Sequence, residues 1–241
     1  MRTLLHKLVV LSGAAAFAAC ITSPQSPVQY EAFATTTLPG SFQAGEVTVA
    51  LERAELAFGP LYFCAASSGS STLCGSALEE MTEVARLDAL SPRPQRLGTV
   101  RGYSGEIRSA SFDYGLHWFD TDFAVTPSPS APEGHSLVIE GTLAEPGQAP
   151  VPFRLAVDAV PQFQGQRAMP TSEAVASITS SAQRLEIRFD VEAWLRQIDF
   201  KELLRSGRRP LVLDAKSPAH DSVLIGLKVA RPPEFRWIPA P

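Results

Sequence analysis

The sequence predicts a mainly β protein, an antiparallel β-sandwich with one or two short helices. Short runs in which apolar and polar residues alternate recur along most of the chain, and this period-two pattern is typical of half-buried strands. Segments rich in Gly, Pro and Ser separate the runs, as turns between strands do. No repeat of fixed period and no heptad pattern interrupts this order, so we expect one β-sandwich domain over residues 44–241.

The first half of that domain contains several predicted strands. Alternation begins with Val47, Val49 and Leu51, and the apolar positions then change parity, which predicts a bulge near Arg53-Ala54. A second run, Leu61-Tyr62-Phe63, ends at Cys64, and one or two further strands are expected between residues 101 and 118. Between these runs, Leu78, Met81 and Val84 recur at helical spacing and predict a short helix over residues 76–87.

The second half predicts a hairpin, more strands and a helix. Residues 137–143 and 151–157 alternate on either side of Glu145-Pro146-Gly147, which is favourable turn chemistry. A strand over 185–189 precedes Asp190, which can cap a helix whose apolar residues Val191, Trp194, Leu195 and Ile198 lie on one face. A further helical turn is expected to stop at Gly207, and a last strand is expected over 223–229.

The first 19 residues have the layout of a secretory signal peptide. Arg2 and Lys7 form a basic head, a short apolar run follows, and small residues stand directly before Cys20. The segment Phe17-Ala18-Ala19-Cys20 resembles a bacterial lipobox, which implies a lipid on Cys20. The alternative is ordinary secretory cleavage just before Ala19. A spanning helix needs about 20 apolar residues, more than this run supplies.

These features predict how the protein is held and where. We expect Cys20 to carry fatty chains that tie the protein to a membrane of the cell envelope, as an outer-membrane lipoprotein facing the periplasm or the exterior. Residues 20–43 are expected to be the lipidated cysteine and a flexible tether, because Pro, Ser and Thr are frequent there. With Cys20 lipidated, Cys64 and Cys74 form an even pair, and we predict a disulfide bond between them.

The charge balance limits the classes of partner. The chain has 21 basic and 25 acidic residues, a net charge of -4. Removing residues 1–19 takes away Arg2 and Lys7, and the net charge becomes -6. This balance argues against a nucleic-acid partner, which requires concentrated positive charge. The membrane, through the N-terminal lipid, is the partner that the sequence itself indicates, and a protein or small-molecule ligand at the loops is a further expectation.

Residues that could support metal or catalytic chemistry are few. Three histidines remain after the signal peptide, His117, His135 and His220, and none forms a pair with metal-ligand spacing. His117 lies near Asp113, Asp120 and Asp122, but its place in a strand favours a solvent-exposed position. The sequence contains no nucleophile elbow, phosphate-binding loop or dinucleotide fingerprint. We therefore predict no metal site, no cofactor and no catalytic residue.

Two long loops and one aromatic segment are the candidates for binding. The loops run over residues 120–134 and 161–171, and loops on a rigid sandwich commonly carry function. The aromatic residues of residues 103–119 could contact a ligand or could equally form the core and its rim; they are Tyr103, Phe112, Tyr114, Trp118 and Phe119.

The C-terminal half resembles the MbnP-like family, periplasmic β-sandwich proteins associated with copper binding. The likeness rests on the order of short motifs, beginning with Gly134-His135-Ser136 and Val151-Pro152-Phe153 and continuing through residues 190–200, Gly226-Leu227 and Glu234-Phe235-Arg236. The resemblance implies a β-sandwich. The additional cysteines and the early histidine motif of that family are missing here, so no copper ligand is carried over.

Three functions from different classes follow. The first is an anchored, non-catalytic binding or accessory protein that uses its loops. The second is a copper-handling protein of the MbnP-like type, which predicts that His117 and His135 approach each other. The third is an envelope hydrolase, which predicts a pocket containing a histidine or carboxylate of shifted pKa beside a hydroxyl. The first is our prediction.

Overall fold

A computed structural model describes residues 25–66, 77–207 and 209–240. Within these ranges the chain forms two large β-sheets, a two-stranded ribbon and a few short helices, which confirms the predicted sandwich. The strands are β1 (Pro27–Thr36), β2 (Ser41–Ala44), β3 (Val47–Phe58), β4 (Leu61–Cys64), β5 (Glu79–Met81), β6 (Ala85–Asp88), β7 (Gln95–Tyr103), β8 (Gly105–Phe112), β9 (Leu116–His117), β10 (Thr126–Pro127), β11 (Leu137–Ala144), β12 (Val151–Val157), β13 (Met169–Ile178), β14 (Gln183–Phe189), β15 (Leu211–Leu213) and β16 (Glu234–Pro239).

The first sheet has eight strands in the order β13-β8-β4-β5-β7-β1-β14-β16. Its strands pair antiparallel except for β1 and β14, which run parallel. Cα atoms of the two outermost strands, β13 and β16, come within 8 Å of each other, which shows that the sheet curls. The second sheet has the order β15-β12-β11-β3-β2, with β6 also paired to β3, and its β12–β15 pair is parallel.

Aromatic side chains from both sheets and the helical region fill the core. Phe58 of β3 contacts Phe112 of β8, with ring centroids 5.2 Å apart, and Phe189 of β14 at 5.1 Å. Trp194 and Tyr114 pack against the same group and are also fully buried. Each such ring removes a large apolar area from water, and truncating one to Ala typically costs about 3–5 kcal/mol of unfolding free energy.

The helices follow the capping signals of the sequence. Helix α1 (Val191–Leu195) begins after Asp190, whose side chain accepts a hydrogen bond from the Ala193 N–H at 3.2 Å, as predicted. Helix α2 (Phe200–Arg205) ends just before Gly207, which adopts φ 71° and stops the turn. A third helix, α3 (Pro218–Ile225), continues into a π-helical turn over Gly226–Ala230, and a 3₁₀ turn spans Pro132–Gly134.

The predicted hairpin and bulge are both present. Strands β11 and β12 pair antiparallel from Leu137–Val157 to Leu143–Val151. Strand β3 pairs with β11 through a register shift that leaves Glu52 as the extra residue, next to the predicted position. The extra residue explains the change of parity, because Leu51 and Ala54 both face the core.

Two predicted elements are wrong. Residues 77–87 form β5 and β6 and not a helix: Glu79 and Met81 point inward while Glu80 is exposed. The glycines of β7 allow this close packing, since a Cβ on Gly102 would lie 2.2 Å from the Leu78 carbonyl oxygen. Residues 223–229 form part of α3 and the π-helical turn and not a strand, because Ser217 and a following proline begin a helix there.

The predicted flexible tether over residues 20–43 is wrong from Pro27 onward, because β1 and β2 lie there. Residues 27–36 form β1, which lies between β7 and β14 in the interior of the eight-stranded sheet. Its side chains alternate between buried and more exposed positions, with Val28 and Tyr30 facing the core. The Pro and Thr content of this region favoured a flexible segment, and the strand β1 was therefore not predicted. Residues 1–24, including the predicted signal peptide and Cys20, lie outside the described residues.

Candidate functional site

The two loops singled out in the sequence pack against each other at one end of the sandwich. The Gln164 side chain donates hydrogen bonds to the carbonyl oxygens of Asp120 at 2.7 Å and Asp122 at 2.9 Å. The Gly165 N–H donates to the Trp118 carbonyl at 2.7 Å, and a Cβ on this glycine would clash with the Asp120 carboxylate. The loops therefore form one surface.

A buried ion pair holds the second loop to the sheet. The Asp113 side chain is completely buried and accepts hydrogen bonds from the Ala168 N–H at 2.6 Å and from Arg167 Nη1 at 3.1 Å. The Arg167 guanidinium also lies over two aromatic rings, 4.7 Å from the centre of Tyr62 and 5.3 Å from that of Phe119. Cation–π contacts of this kind add to the ion pair.

Burial sets the protonation behaviour of this pair. Loss of hydration raises the pKa of the Asp113 carboxyl to about 6, although the Ala168 N–H and Arg167 oppose the rise. The positive charge of Lys228 also lowers the pKa of the Asp113 carboxyl, and burial lowers the pKa of the Lys228 ammonium group. The Lys228 Nζ donates to the Val160 carbonyl at 3.3 Å.

His117 lies at the edge of the same cluster. Its ring centre is 4.5 Å from that of Phe119, and desolvation lowers the pKa of the imidazole. Its Nδ1 is buried and has no hydrogen-bond partner among the described residues. The prediction that His117 is solvent-exposed is thus only partly right, since the side chain is half-buried against an aromatic ring.

Three phenylalanines project from the joined loops, and we call them the loop surface: Phe119, Phe123 and Phe163. Their exposed fractions are 38%, 104% and 57%. The neighbours of Phe123 and Phe163 in the chain, Asp122 and Gln164, are the residues that bond the loops together. The loops that carry these rings are therefore held to each other by hydrogen bonds, while Phe119 also contacts His117 and Arg167.

Of the aromatic residues that the sequence singled out, one belongs to this surface. Phe112 and Tyr114 are core residues, Tyr103 is exposed at the end of β7, and Trp118 donates its Nε1–H to the Asp122 carbonyl at 3.0 Å. Only Phe119 lies on the loop surface.

Phe123, Phe163 and Arg167 were not predicted as site residues, and Asp113 was considered only as an acid near His117. A charged residue between two large aromatics, as in Phe112-Asp113-Tyr114, was the available signal for a buried carboxylate.

The other two histidines, His135 and His220, both contact Asp158. His135 Nδ1 lies 2.8 Å from Asp158 Oδ1, and the Asp158 N–H donates to His220 Nε2 at 3.4 Å. His135 is therefore bonded to Asp158, the residue that also contacts His220, whereas the copper hypothesis predicted an approach to His117. Among the described residues, no group of three or more His, Cys, Asp or Glu side chains has an arrangement that could hold a metal ion.

A second buried carboxyl lies inside the curled sheet. Glu79 is 1% exposed and accepts a hydrogen bond from the Tyr30 hydroxyl, which in turn accepts one from Trp237 Nε1 at 2.9 Å. Glu79 Oε1 has no partner among the described residues. Burial raises the pKa of Glu79 to about 7 and raises that of the Tyr30 phenol as well. This pair matches the carboxyl–hydroxyl feature of the hydrolase hypothesis, but substrate could not reach a group so deeply enclosed.

The predicted disulfide bond and the predicted lipidation both involve a cysteine outside the described residues. Cys64 is buried at the end of β4, and its predicted partner Cys74 lies outside the described residues. The predicted lipidation of Cys20 also falls outside them. In the described part of the chain, no helix has both the length and the apolar character needed to cross a bilayer.

No family model matches the chain, and no curated protein matches its sequence. Among solved structures, MbnP from Methylosinus trichosporium aligns with 90% of this chain and 100% of its own, at a TM-score of 0.35 and 13% identity. A likeness of this strength carries no argument about function, and the MbnP-like family remains a resemblance.

Proposed function

We propose that this protein is a lipid-anchored, non-catalytic accessory protein of the bacterial cell envelope that docks a protein partner through the loop surface. The observation that carries the proposal is the exposure of three phenylalanines on loops that are bonded to each other and to the sheet. Aromatic side chains are enriched at the centres of protein interfaces, where they bury a large area at little cost in conformational entropy. Scattered apolar residues would need no such explanation.

The position of the predicted anchor favours a protein partner over the bilayer. Pro27 at the start of β1 pairs with Tyr103, next to the Ser104 turn that leads into β8. Strand β8 then runs eight residues before Asp113 and the loops, a rise of about 26 Å at 3.3 Å per residue. The start of β1 and the loop surface are therefore at opposite ends of β8, and a lipid joined to the chain just before β1 would hold the loop surface on the side away from the membrane.

Site-specific photo-crosslinking in the cell of origin tests this proposal. A photo-reactive benzoylphenylalanine replaces Phe123 in one strain and Val175 in another. Val175 on β13 is a matched control, since its side chain is apolar and 69% exposed but lies outside the loop surface. We expect one discrete protein adduct from position 123 and none from position 175.

A second substitution ties the adduct to the surface. Phe163→Ser in the position-123 strain removes a second ring of the loop surface and should reduce the yield of the adduct several-fold, because buried aromatic contacts dominate interface energies. Val229→Ser, at another exposed apolar side chain, should leave the yield unchanged. An equal pattern of adducts from positions 123 and 175, or no adduct from position 123, would overturn the proposal.

A further inference from the structure

A cavity separate from the loop surface lies between α2, β15 and the start of α3. Its volume is about 530 Å³, within the range of small-molecule sites. The floor is apolar, formed by Ile198, Leu203, Leu211, Leu213 and Ala219. Four of these five side chains are buried in the core, and Leu203 is half-buried at the cavity wall.

The rim of the cavity is acidic. Among the described residues that line it, the charged side chains are Asp199, Glu202, Asp214 and Lys216, three acids against one base. Asp199 Oδ1 accepts a hydrogen bond from the Glu202 N–H, and Asp214 Oδ1 accepts one from the Lys216 N–H, both at 2.9 Å. These bonds fix the two carboxylates at the cavity mouth.

Two described bases lie at or near this rim: Lys216 lines it, and Arg205 pairs with Glu202. Arg205 Nη1 lies 3.7 Å from Glu202 Oε2, and both side chains are more than 60% exposed. An exposed pair of this kind is screened by solvent and contributes little. With three acids and one base among its described lining residues, the mouth keeps a net negative charge, to which Asp199 and Asp214 contribute.

We propose that this cavity binds a small molecule with an apolar body and a single cationic group. The apolar body would lie on the leucine-rich floor, where its burial drives binding. The cation would lie at the mouth, within reach of Asp199 and Asp214. This site shares no residue with the loop surface, so the proposal stands or falls independently of the proposed protein partner.

Three probes of the same shape and different charge test the proposal on the full mature chain. They are 4-phenylbutylamine, 4-phenylbutanol and 4-phenylbutyrate, titrated at neutral pH by calorimetry and by methyl NMR. We expect the amine to bind about fivefold or more tightly than the alcohol, since one unit charge about 4 Å from a carboxylate gains that factor even in a water-like medium. The acid should bind more weakly than the alcohol. The shifted methyl signals should include those of Leu211 and Leu213.

Matched variants locate the two halves of the site. Asp214→Asn keeps the acceptor for the Lys216 N–H and should weaken the amine about fivefold without changing the alcohol. Leu203→Trp should fill the cavity and reduce binding of all three probes. Glu173→Gln, on the β13–β16 groove, is the control and should change none of them.

The results distinguish the proposal from its alternatives. Equal affinity for the amine and the acid would overturn the cationic part, and so would an Asp214→Asn variant that binds the amine as tightly as the parent. Methyl shifts that exclude Leu211 and Leu213 would overturn the location of the site. That last readout needs no variant, so a Leu203→Trp chain that fails to fold would not leave the proposal untested.

Discussion

Replacing Arg167 with Met should make the stability of the protein depend more strongly on pH. The folded pKa of Asp113, about 6, lies above its ordinary value of 3.8. The folded state therefore binds this proton more tightly than the unfolded state does. The contribution is fully present below pH 3.8 and is lost as the pH rises to about 6. A difference of about two pKa units corresponds to about 3 kcal/mol of unfolding free energy.

Arg167→Met keeps the apolar stem but removes the charge that opposes this rise. At pH 4.5, where Asp113 is mostly protonated, the variant should lose only the contacts with the Tyr62 and Phe119 rings, about 1 kcal/mol. At pH 8 the variant must either bury an unpaired carboxylate or bind a proton against the solution pH. Breaking a buried ion pair costs about 3–5 kcal/mol, and because Arg167 is 18% exposed we expect about 3 kcal/mol.

Urea unfolding of the oxidised mature chain at pH 4.5, 6 and 8 measures both values. The difference between parent and variant cancels the titrating groups that Arg167 does not influence, including Glu79, but not His117 or Tyr62, whose pKa values the Arg167 charge also lowers. In Asp113→Asn, the loss of stability between pH 4.5 and 8 should be smaller by about 2 kcal/mol than in the parent. A cost of Arg167→Met that stays constant from pH 4.5 to 8 would show that the Asp113 charge is not what Arg167 stabilises.

Three further outcomes are expected. Glu79→Gln should remove a loss of stability that the parent shows as the pH rises from about 4.5 to 7, at most about 3 kcal/mol in urea unfolding, because burial raises the pKa of this carboxyl to about 7; an unchanged pH profile would contradict that. Asp190→Ala should lower the unfolding free energy by about 1–2 kcal/mol in thermal unfolding, since its Oδ1 accepts bonds from α1 and from Thr37, whereas Asp190→Asn should cost less. Mass spectrometry of the chain purified from its own membranes should find acyl groups on Cys20 and a Cys64–Cys74 bond, and an unacylated chain beginning at Ala19 would refute the anchor.

The parts of the fold that the sequence predicted are those in which local pattern and tertiary contacts agree. The β11–β12 hairpin has alternating strands, a strong turn and a paired register, and all three give the same answer. The caps at Asp190 and Gly207 likewise act within a few residues, so the sequence alone reveals them.

The wrong predictions come from positions where neighbours in space override the local pattern. Glu79 is buried in β5 although it is charged, because Tyr30 from a distant strand supplies a hydroxyl. The composition of residues 223–229 favours a strand, but Ser217 caps the N-terminus of a helix that runs into these residues. Neither pairing across the sheet nor the identity of a buried partner can be read from one strand's own alternation.

The candidate site was likewise predictable from the sequence only in part. The two loops were predicted because their length and composition mark them, but the choice of exposed rings was not predictable. Phe112 and Phe119 are the same residue type seven positions apart, one in the core and one on the surface. Which of them is free to meet a partner depends on where β8 ends and on what Gln164 and Arg167 bond to in the folded chain.

The curl of the eight-stranded sheet has a consequence for how molecules of this protein behave in a crowded compartment. An open sheet normally leaves two unpaired strands whose free N–H and C=O groups can recruit another chain. Here β13 and β16 face each other across a groove of about 440 Å³, and Pro232 and Pro233 line it directly before β16. Each edge lies beside the other, so less free strand edge is open to an incoming chain than in a flat sheet, and the backbone geometry itself disfavours edge-to-edge aggregation.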